Sequence, residues 1–237
     1  MSTVRLYYPE NIIENSTSLL SKEHTHYIVN VMRLKRGSKI NFFNKEGEWF
    51  SEIVFLDRDR VEIKFLNKIK EPFPVSNIEL AICLVKKNPM ETILQKATEL
   101  GVIRITPIIS ERTEVKELNY ERAQKIVIEA TEQSNQFNPP EVSKVIKLKD
   151  FLEKLDSGTK FLFADVNSKN ILKKKDVEGD FLKTILIGPE GDFSPRERES
   201  ILAKANTTSF SISKNILRTD TAVISAISLI NFINNFH

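Results

Sequence analysis

The chain has 237 residues, of which 41% are hydrophobic and 28% charged, so it can bury a core and is not expected to be disordered. Its net charge of +3 is too small to indicate a polyanionic partner without local clustering. The only cysteine, Cys83, excludes an intrachain disulfide, and its apolar neighbours suggest a buried thiol in a reducing compartment. We find no signal-peptide-like apolar run near the N-terminus, and polar residues break the apolar stretch 222–236. A cytoplasmic protein without a membrane span is therefore expected.

The N-terminal region is expected to form a small β-rich domain. Strand-like patterns cover residues 39–67 and include a turn. Period-two patterning places one of the two adjacent aromatic residues in the core, and we expect this to be Phe50 rather than Trp49. Residues 71–74, Glu-Pro-Phe-Pro, then interrupt regular structure because proline lacks a backbone donor. We therefore predict two domains, residues 1–72 and residues 73–237.

The second region alternates between strands and helices. Apolar runs predict strands at residues 78–85, 102–109, 160–166, 184–187 and 209–212. Helical spacing predicts helices at about 88–100, 119–136, 194–205 and 219–236. Asn88 is expected to cap the first of these helices, and Ser194 with Glu197 has the pattern of a capping box. This alternation predicts an α/β domain with a mostly parallel sheet that is covered on both faces.

Residues 187–193, Ile-Gly-Pro-Glu-Gly-Asp-Phe, form the first loop that could carry chemistry. The loop lies between a predicted strand and a capped helix, where open α/β sheets usually bind ligands. Its two glycines would let a ligand approach the backbone closely. The chain contains neither a dinucleotide fingerprint nor a triphosphate-binding loop. By itself, a tight strand-to-helix turn explains the sequence about equally well.

A second polar loop, residues 216–222, opens the last predicted helix. Helix capping explains its threonines and Asp220, whose oxygens can accept amide hydrogen bonds. It does not explain Arg218, because a positive charge is disfavoured at a helix N-terminus unless an anionic partner or substrate satisfies it.

With segments 5–8, 26–37, 96–101 and 129–134, these loops make the chain resemble the SPOUT superfamily of methyltransferases. The specific resemblance is to its bacterial 16S ribosomal RNA uridine-N3 methyltransferase family, and it covers nearly the whole chain. It implies a PUA-like RNA-binding barrel followed by a SPOUT-type α/β domain with a C-terminal trefoil knot around S-adenosylmethionine. It also implies a homodimer that acts on 16S rRNA of the small ribosomal subunit.

The resemblance places the cofactor in the two polar loops and beside a neighbouring strand. The implied cofactor-binding residues are Ile187, Gly188, Pro189, Glu190, Gly191, Ile212, Leu217, Arg218, Thr219, Thr221 and Ala222. Arg218 and Glu190 are the candidate catalytic residues. Arg218 could stabilise charge on uracil or hold a phosphate, and Glu190 or Asp220 could accept the N3 proton or orient the cofactor. The implied RNA-binding residues are Arg5, His26, Arg33 and Lys35, in the basic N-terminal region.

The chain departs from the family pattern at several positions. Asp192 and the pair Asn135-Gln136 stand where glycine and Gly-Arg are usual, residues 213–215 lack a common glycine, and Asp220 replaces glutamate. Two alternatives therefore stay open: a SPOUT enzyme that acts on transfer RNA, and a noncatalytic ribosome assembly factor that has lost the cofactor. A metal site is not expected, because His24 and His26 have no cysteine cluster or third nearby histidine.

Overall fold

The computed structural model describes residues 4–72, 74 and 76–236, and the chain divides into two compact units. The first unit contains the described residues up to 74 together with residues 134–138, and the second contains the rest. The sequence-based division did not include the segment 134–138 in the first unit, because local patterns do not show where a distant loop packs. Phe73 and Val75, next to the predicted boundary, lie outside the described residues.

The first unit is built on a five-stranded mixed sheet in the order β1-β3-β4-β5-β2. Its strands are β1 (Arg5–Tyr7), β2 (Thr17–Leu19), β3 (Lys39–Asn44), β4 (Gly47–Leu56) and β5 (Val61–Lys70). Helix α1 (Lys22–His26) continues as a π-helical segment, Tyr27–Val31. β1 pairs with β3 in parallel, and the other pairs are antiparallel. A β-rich N-terminal domain is therefore confirmed, with β1 and β2 as the edges of its sheet.

The core assignment of the adjacent aromatic residues was wrong. Trp49 is only 5% exposed and belongs to the hydrophobic core of the first unit, whereas Phe50 is half-buried. The pairing of β4 with β5 shifts register between Glu48 and Trp49 and again between Phe50 and Ser51. These irregularities break the strict alternation of the strand, so that Glu48 and Trp49 are both buried.

The second unit has a seven-stranded sheet in which every strand pair is parallel. Its order is β12-β10-β11-β6-β7-β8, with β9 also paired to β7. The strands are β6 (Ile78–Cys83), β7 (Arg104–Ile109), β8 (Glu141–Val142), β9 (Ile146–Lys147), β10 (Lys160–Ala164), β11 (Lys183–Ile187) and β12 (Thr207–Phe210). The helices are α2 (Lys87–Glu99), α3 (Tyr120–Gln133), α4 (Leu148–Lys154), α5 (Lys174–Val177), α6 (Pro195–Leu202) and α7 (Thr219–Phe236).

Alternate side chains of this sheet enter two separate cores. Leu80 and Ile82 of β6 pack in the cluster that contains α2, α3 and α7. Ala81 and Cys83 pack in the cluster that contains α4 and α6. The predicted parallel sheet with helices on both faces is therefore confirmed. Burial also raises the pKa of Cys83 to about 12, as expected for an inert structural thiol.

The helix starts agree only partly with the sequence signals. At α6, Glu197 N donates to Ser194 Oγ at 3.2 Å and Ser194 N donates to Glu197 Oε2 at 3.0 Å, which confirms the capping box. Asn88 does not cap α2, because the helix begins at Lys87 and Lys86 occupies the cap position without a side-chain bond. None of the helices in the described ranges is long and apolar enough to cross a bilayer.

Candidate functional site

The carboxyl ends of three neighbouring strands bring three loops together. Ala164 of β10 is paired with Ile187 of β11 and with Phe210 of β12. The chain therefore leaves all three strands at the same level of the sheet, where α/β proteins usually bind ligands. The loops are residues 165–170, 188–194 and 211–218. Together with the start of α7 they line a cavity of about 350 Å³, which suits a small molecule.

The 188–194 loop has a defined shape. Asp192 N donates to Pro189 O at 3.0 Å, and Asp192 has a φ of +59° in the left-handed region. Aspartate is one of the residues that tolerate this conformation, so it fits a position where the resemblance implies glycine. Gly188 has a different role: a Cβ there would lie 3.0 Å from the ring of Phe193, which is buried against Phe163. The loop therefore depends on close packing over Gly188.

Nine of the eleven residues implied to bind the cofactor line this cavity. They are Ile187, Gly188, Pro189, Glu190, Gly191, Ile212, Leu217, Thr219 and Ala222. The other two, Arg218 and Thr221, do not line it and are exposed. The structure therefore brings the two polar loops of the sequence into one site, although 22 residues separate them along the chain.

At the N-terminus of α7, Arg218 and Asp220 differ in their hydrogen-bond partners. Ala222 N donates to Arg218 O at 2.8 Å, so Arg218 occupies the cap position of the helix. Its guanidinium has no hydrogen-bond or ion-pair partner within the described part of the chain. Asp220 Oδ1 accepts from Thr221 N at 2.8 Å and lies 3.5 Å from Thr221 Oγ1. Asp220 is thus engaged within the first turn, whereas Arg218 is available to an anion.

Sequence reasoning missed Asp165, whose side chain is fully buried in the wall of the cavity. Its Oδ2 accepts from Arg198 Nη2 at 2.8 Å and Nε at 3.1 Å, and its Oδ1 accepts from Asn167 N at 2.9 Å. Because Arg198 donates these hydrogen bonds to the carboxylate, the pKa of its guanidinium is raised. The available signal was an acidic residue at the carboxyl end of an apolar strand, but the predicted strand ran on to Val166 and hid it.

Sequence reasoning also missed the residues after β12 that contribute to the cavity. They are Ser211, Ser213 and Asn215, which precede the second polar loop and line the cavity with it. Ser211 Oγ donates to Ser213 O at 3.0 Å, and Ser213 Oγ accepts from Asn215 N at 3.0 Å. Side-chain hydrogen bonds therefore shape this segment, which contains no glycine.

Arg5, which the resemblance implies to bind RNA, is bonded to other residues of the first unit. Its Nε donates to Glu48 Oε2 at 2.9 Å, and its guanidinium lies 3.4 Å from the centre of the Phe43 ring. Glu48 is buried and Arg5 is partly buried. Its Nη2 donates to Gln136 O at 2.6 Å. Asn135, before Gln136, has a φ of +58°, which explains how asparagine can stand at a position where glycine is usual. Arg5 therefore anchors the 134–138 segment.

The other three residues implied to bind RNA are on the surface of the first unit. His26, Arg33 and Lys35 are all exposed, and His26 Nδ1 lies 3.0 Å from Asn30 Nδ2. His24 is partly buried against Phe42, and this burial lowers the pKa of its imidazole. The described residues contain no group of three or more His, Cys, Asp or Glu side chains placed to hold a metal ion.

Comparison with known families matches both units. A model described as an RNA methyltransferase domain matches residues 71–231, and one described as an RNA methyltransferase PUA domain matches residues 20–66. Ribosomal RNA small subunit methyltransferase E of Rickettsia conorii is 33% identical over 236 residues, which cover 98% of this chain and 96% of that protein. The protein of the same name from Aquifex aeolicus is 31% identical over 237 residues, covering 97% of this chain and all of that protein.

Solved structures agree with these matches. A ribosomal RNA small subunit methyltransferase E from Neisseria gonorrhoeae, bound to S-adenosyl methionine, is 29% identical and covers 100% of both chains with a TM-score of 0.89. A methyltransferase from Legionella pneumophila, in complex with the same cofactor, is 25% identical and covers 99% of both chains with a TM-score of 0.87.

Proposed function

This chain belongs to the ribosomal RNA small subunit methyltransferase E family, and we propose that it methylates N3 of a uridine in 16S ribosomal RNA with S-adenosylmethionine. The observation that carries the proposal is the cavity at the carboxyl ends of β10, β11 and β12. Residues of both polar loops, 187–193 and 216–222, line this cavity. The full-length match to the Neisseria structure bound to S-adenosyl methionine supports the choice of cofactor.

The residues around the cavity fit the two ends of S-adenosylmethionine. Ile187, Ile212, Leu217 and Ala222 supply apolar surface for an adenine ring, beside main-chain groups that can read its polar edge. The start of α7 also borders the cavity through the buried Thr219. The amides of Thr219 and Asp220 precede the first intrahelical bond, so this end of the helix favours a carboxylate such as that of the methionine part.

In methyl transfer, the protein has to align the uracil with the methyl group and stabilise the charge that develops on the uracil. When bound, the cofactor supplies a sulfonium methyl group that is already electrophilic. The protein must hold uracil N3 toward that group and favour loss of the N3 proton. Glu190 lines the cavity and is exposed, and in this proposal its carboxylate accepts the proton. Arg218, whose guanidinium has no partner among the described residues, stabilises negative charge on the uracil oxygens in this proposal.

The first unit delivers the RNA in this proposal. His26, Arg33 and Lys35 are exposed there, and basic side chains that neutralise phosphates give an affinity that falls with salt. Arg5 is removed from this set because it is committed to Glu48. The match of residues 20–66 to an RNA methyltransferase PUA domain supports the assignment.

The proposal includes three expectations that rest on the family resemblance. The protein acts in the cytoplasm, the segments around the cavity form a trefoil knot, and the working form is a homodimer. Ile216, at the cavity, is a large apolar side chain that is 92% exposed, and Phe232 of α7 is also exposed. Contact with a second copy of the chain would cover such surfaces, which supports the dimer.

The test is methyl transfer to small ribosomal subunits from a strain that lacks the modification. The protein is incubated with these subunits and S-adenosylmethionine carrying a labelled methyl group. We expect label in 16S rRNA at a single uridine. Primer extension should stop there, because an N3 methyl group blocks the Watson–Crick edge of the base.

Two parallel measurements separate the alternatives. Transfer RNA is offered as the acceptor in an otherwise identical reaction, and S-adenosylmethionine is titrated calorimetrically into the protein without RNA. Label in transfer RNA but not in subunits would indicate the transfer-RNA enzyme. A folded protein that binds small subunits but not the cofactor would indicate the noncatalytic assembly factor. Either result would contradict the proposal.

A further inference from the structure

A closed turn at residues 110–113 lies beside the 188–194 loop but outside the cavity. Ser110 N donates to Thr113 Oγ1 at 3.0 Å, Thr113 N donates to Ser110 O at 3.2 Å, and the two hydroxyl groups lie 2.8 Å apart. Both side chains are buried. Because the turn directly follows β7 and satisfies its own polar groups, it forms a fixed support for the residues between its ends.

Glu197 joins this turn to the end of the 188–194 loop. Its Oε1 accepts from Glu111 N at 2.8 Å, and its Oε2 accepts from Ser194 N at 3.0 Å. A carboxylate that accepts two main-chain amides holds the two segments at a set distance from each other. The capping-box glutamate of α6 therefore also holds the 110–113 turn.

Arg112 extends from the turn to the 188–194 loop itself. Its Nη1 donates to Gly191 O at 2.9 Å and lies 3.5 Å from Phe193 O. A Cβ at position 191 would lie 3.8 Å from Arg112 Cβ and 3.9 Å from its Cδ, so the aliphatic stem lies along Gly191. One cation therefore holds two carbonyl groups of a loop whose other side lines the cavity.

We propose that Arg112 is a positioning residue for cofactor binding. It does not line the cavity and acts through Gly191, by keeping the 188–194 loop in the conformation that admits S-adenosylmethionine. Within the loop, Asp192 N donates to Pro189 O and Phe193 N donates to Asp192 Oδ1 at 2.7 Å. From outside, Asn167 Nδ2 lies 3.3 Å from Asp192 Oδ2, and Arg112 bonds the carbonyl group of Gly191, which no bond within the loop restrains. The identity of the ligand rests on the proposed function, but the hold on the loop does not.

The test compares three variants of the full chain. Arg112→Met keeps the aliphatic stem and removes the donors, and Arg112→Lys keeps one flexible donor group. Arg122→Met is the matched control, because it removes an exposed arginine of the same unit that pairs with Glu91 at 3.0 Å, far along the chain from the loop.

Without cofactor, we expect faster amide hydrogen exchange within residues 188–194 in Arg112→Met and wild-type exchange there in the control. The Kd for S-adenosylmethionine should rise about five- to tenfold, the scale of one charged but exposed hydrogen-bonding group. The Lys variant should recover part of this loss. In turnover, the KM for S-adenosylmethionine should rise while kcat at saturating cofactor stays near the wild-type value.

Wild-type exchange in the loop of Arg112→Met, or wild-type cofactor affinity, would overturn the proposal. So would faster exchange spread evenly over the second unit, since Arg112 would then stabilise the fold and not the loop. If the wild-type protein itself does not bind S-adenosylmethionine, the proposed function fails. The exchange measurement would still decide whether Arg112 holds the loop.

Discussion

The ion pair between Asp165 and Arg198 is expected to respond unequally to loss of its two charges. The side chain of Asp165 is fully buried, whereas that of Arg198 is 35% exposed. Arg198→Met leaves a buried carboxylate with only the amide of Asn167 and the hydroxyl of Ser209, which is 3.4 Å away. Asp165→Asn instead leaves a guanidinium that water can reach. The arginine variant should therefore be the less stable one.

The expected free energies follow from these contacts. Removing one partner of a fully buried pair costs about 3–5 kcal/mol. Partial exposure of Arg198 and the remaining bond from Asn167 reduce this to about 2–3 kcal/mol for Arg198→Met. Asp165→Asn should cost about 1–2 kcal/mol, because the hydrated guanidinium is not left buried. The double variant should fall short of the sum by about 1 kcal/mol, since it leaves no unpaired charge.

The assay must report on the second unit. Trp49, the only tryptophan, lies in the first unit, so its fluorescence is unsuitable. Labelling of the buried Cys83 thiol during urea unfolding, with far-ultraviolet circular dichroism in parallel, follows the second unit. The reasoning would be refuted if Arg198→Met cost no more than Asp165→Asn. It would also be refuted if the two changes added within about 0.3–0.5 kcal/mol.

Three further predictions test the site and the first unit. Gly191→Val should keep the fold, because a Cβ there meets only ordinary contacts, but should weaken cofactor binding at least about tenfold. Gly188→Val should instead lower the melting temperature, because its side chain would clash with the buried ring of Phe193. If the two variants changed melting temperature and cofactor affinity equally, this contrast would be contradicted. Arg218→Ala should lower single-turnover methylation about ten- to a hundredfold, with cofactor affinity and melting nearly unchanged; normal turnover would remove it from catalysis. Burial lowers the pKa of His24 in the folded chain below its value of about 6.5 in the unfolded chain. Below that pH the unfolded chain binds a proton more readily than the folded chain, so the first unit should become less stable as the pH falls. Trp49 fluorescence during denaturation should show this slope in the wild type and a flatter one in His24→Gln; identical slopes would contradict the assignment.

Features that depend on neighbouring residues could be predicted from the sequence. The bounds of α7 are those predicted, and the reciprocal bonds of Ser194 and Glu197 start α6 as expected. Alternating apolar runs and helical spacing also predicted a parallel sheet covered on both faces. The loop 187–193 was found because its two glycines follow a strand and precede a capped helix. Each of these inferences uses caps, glycines or apolar spacing among residues that are close together in the sequence.

Features that depend on distant partners were decided only by the tertiary structure. Arg5 pairs with Glu48, which is 43 residues away in the sequence, and Asp165 pairs with Arg198, which is 33 residues away. No local sequence pattern contains both members of either pair. The end of β10 at Ala164 is set by its neighbours β11 and β12, which is why Asp165 was mistaken for part of a strand. A charged side chain has the same local pattern whether it faces RNA or a buried partner. The fold decides between them, because it determines which opposite charge comes within a hydrogen-bond length.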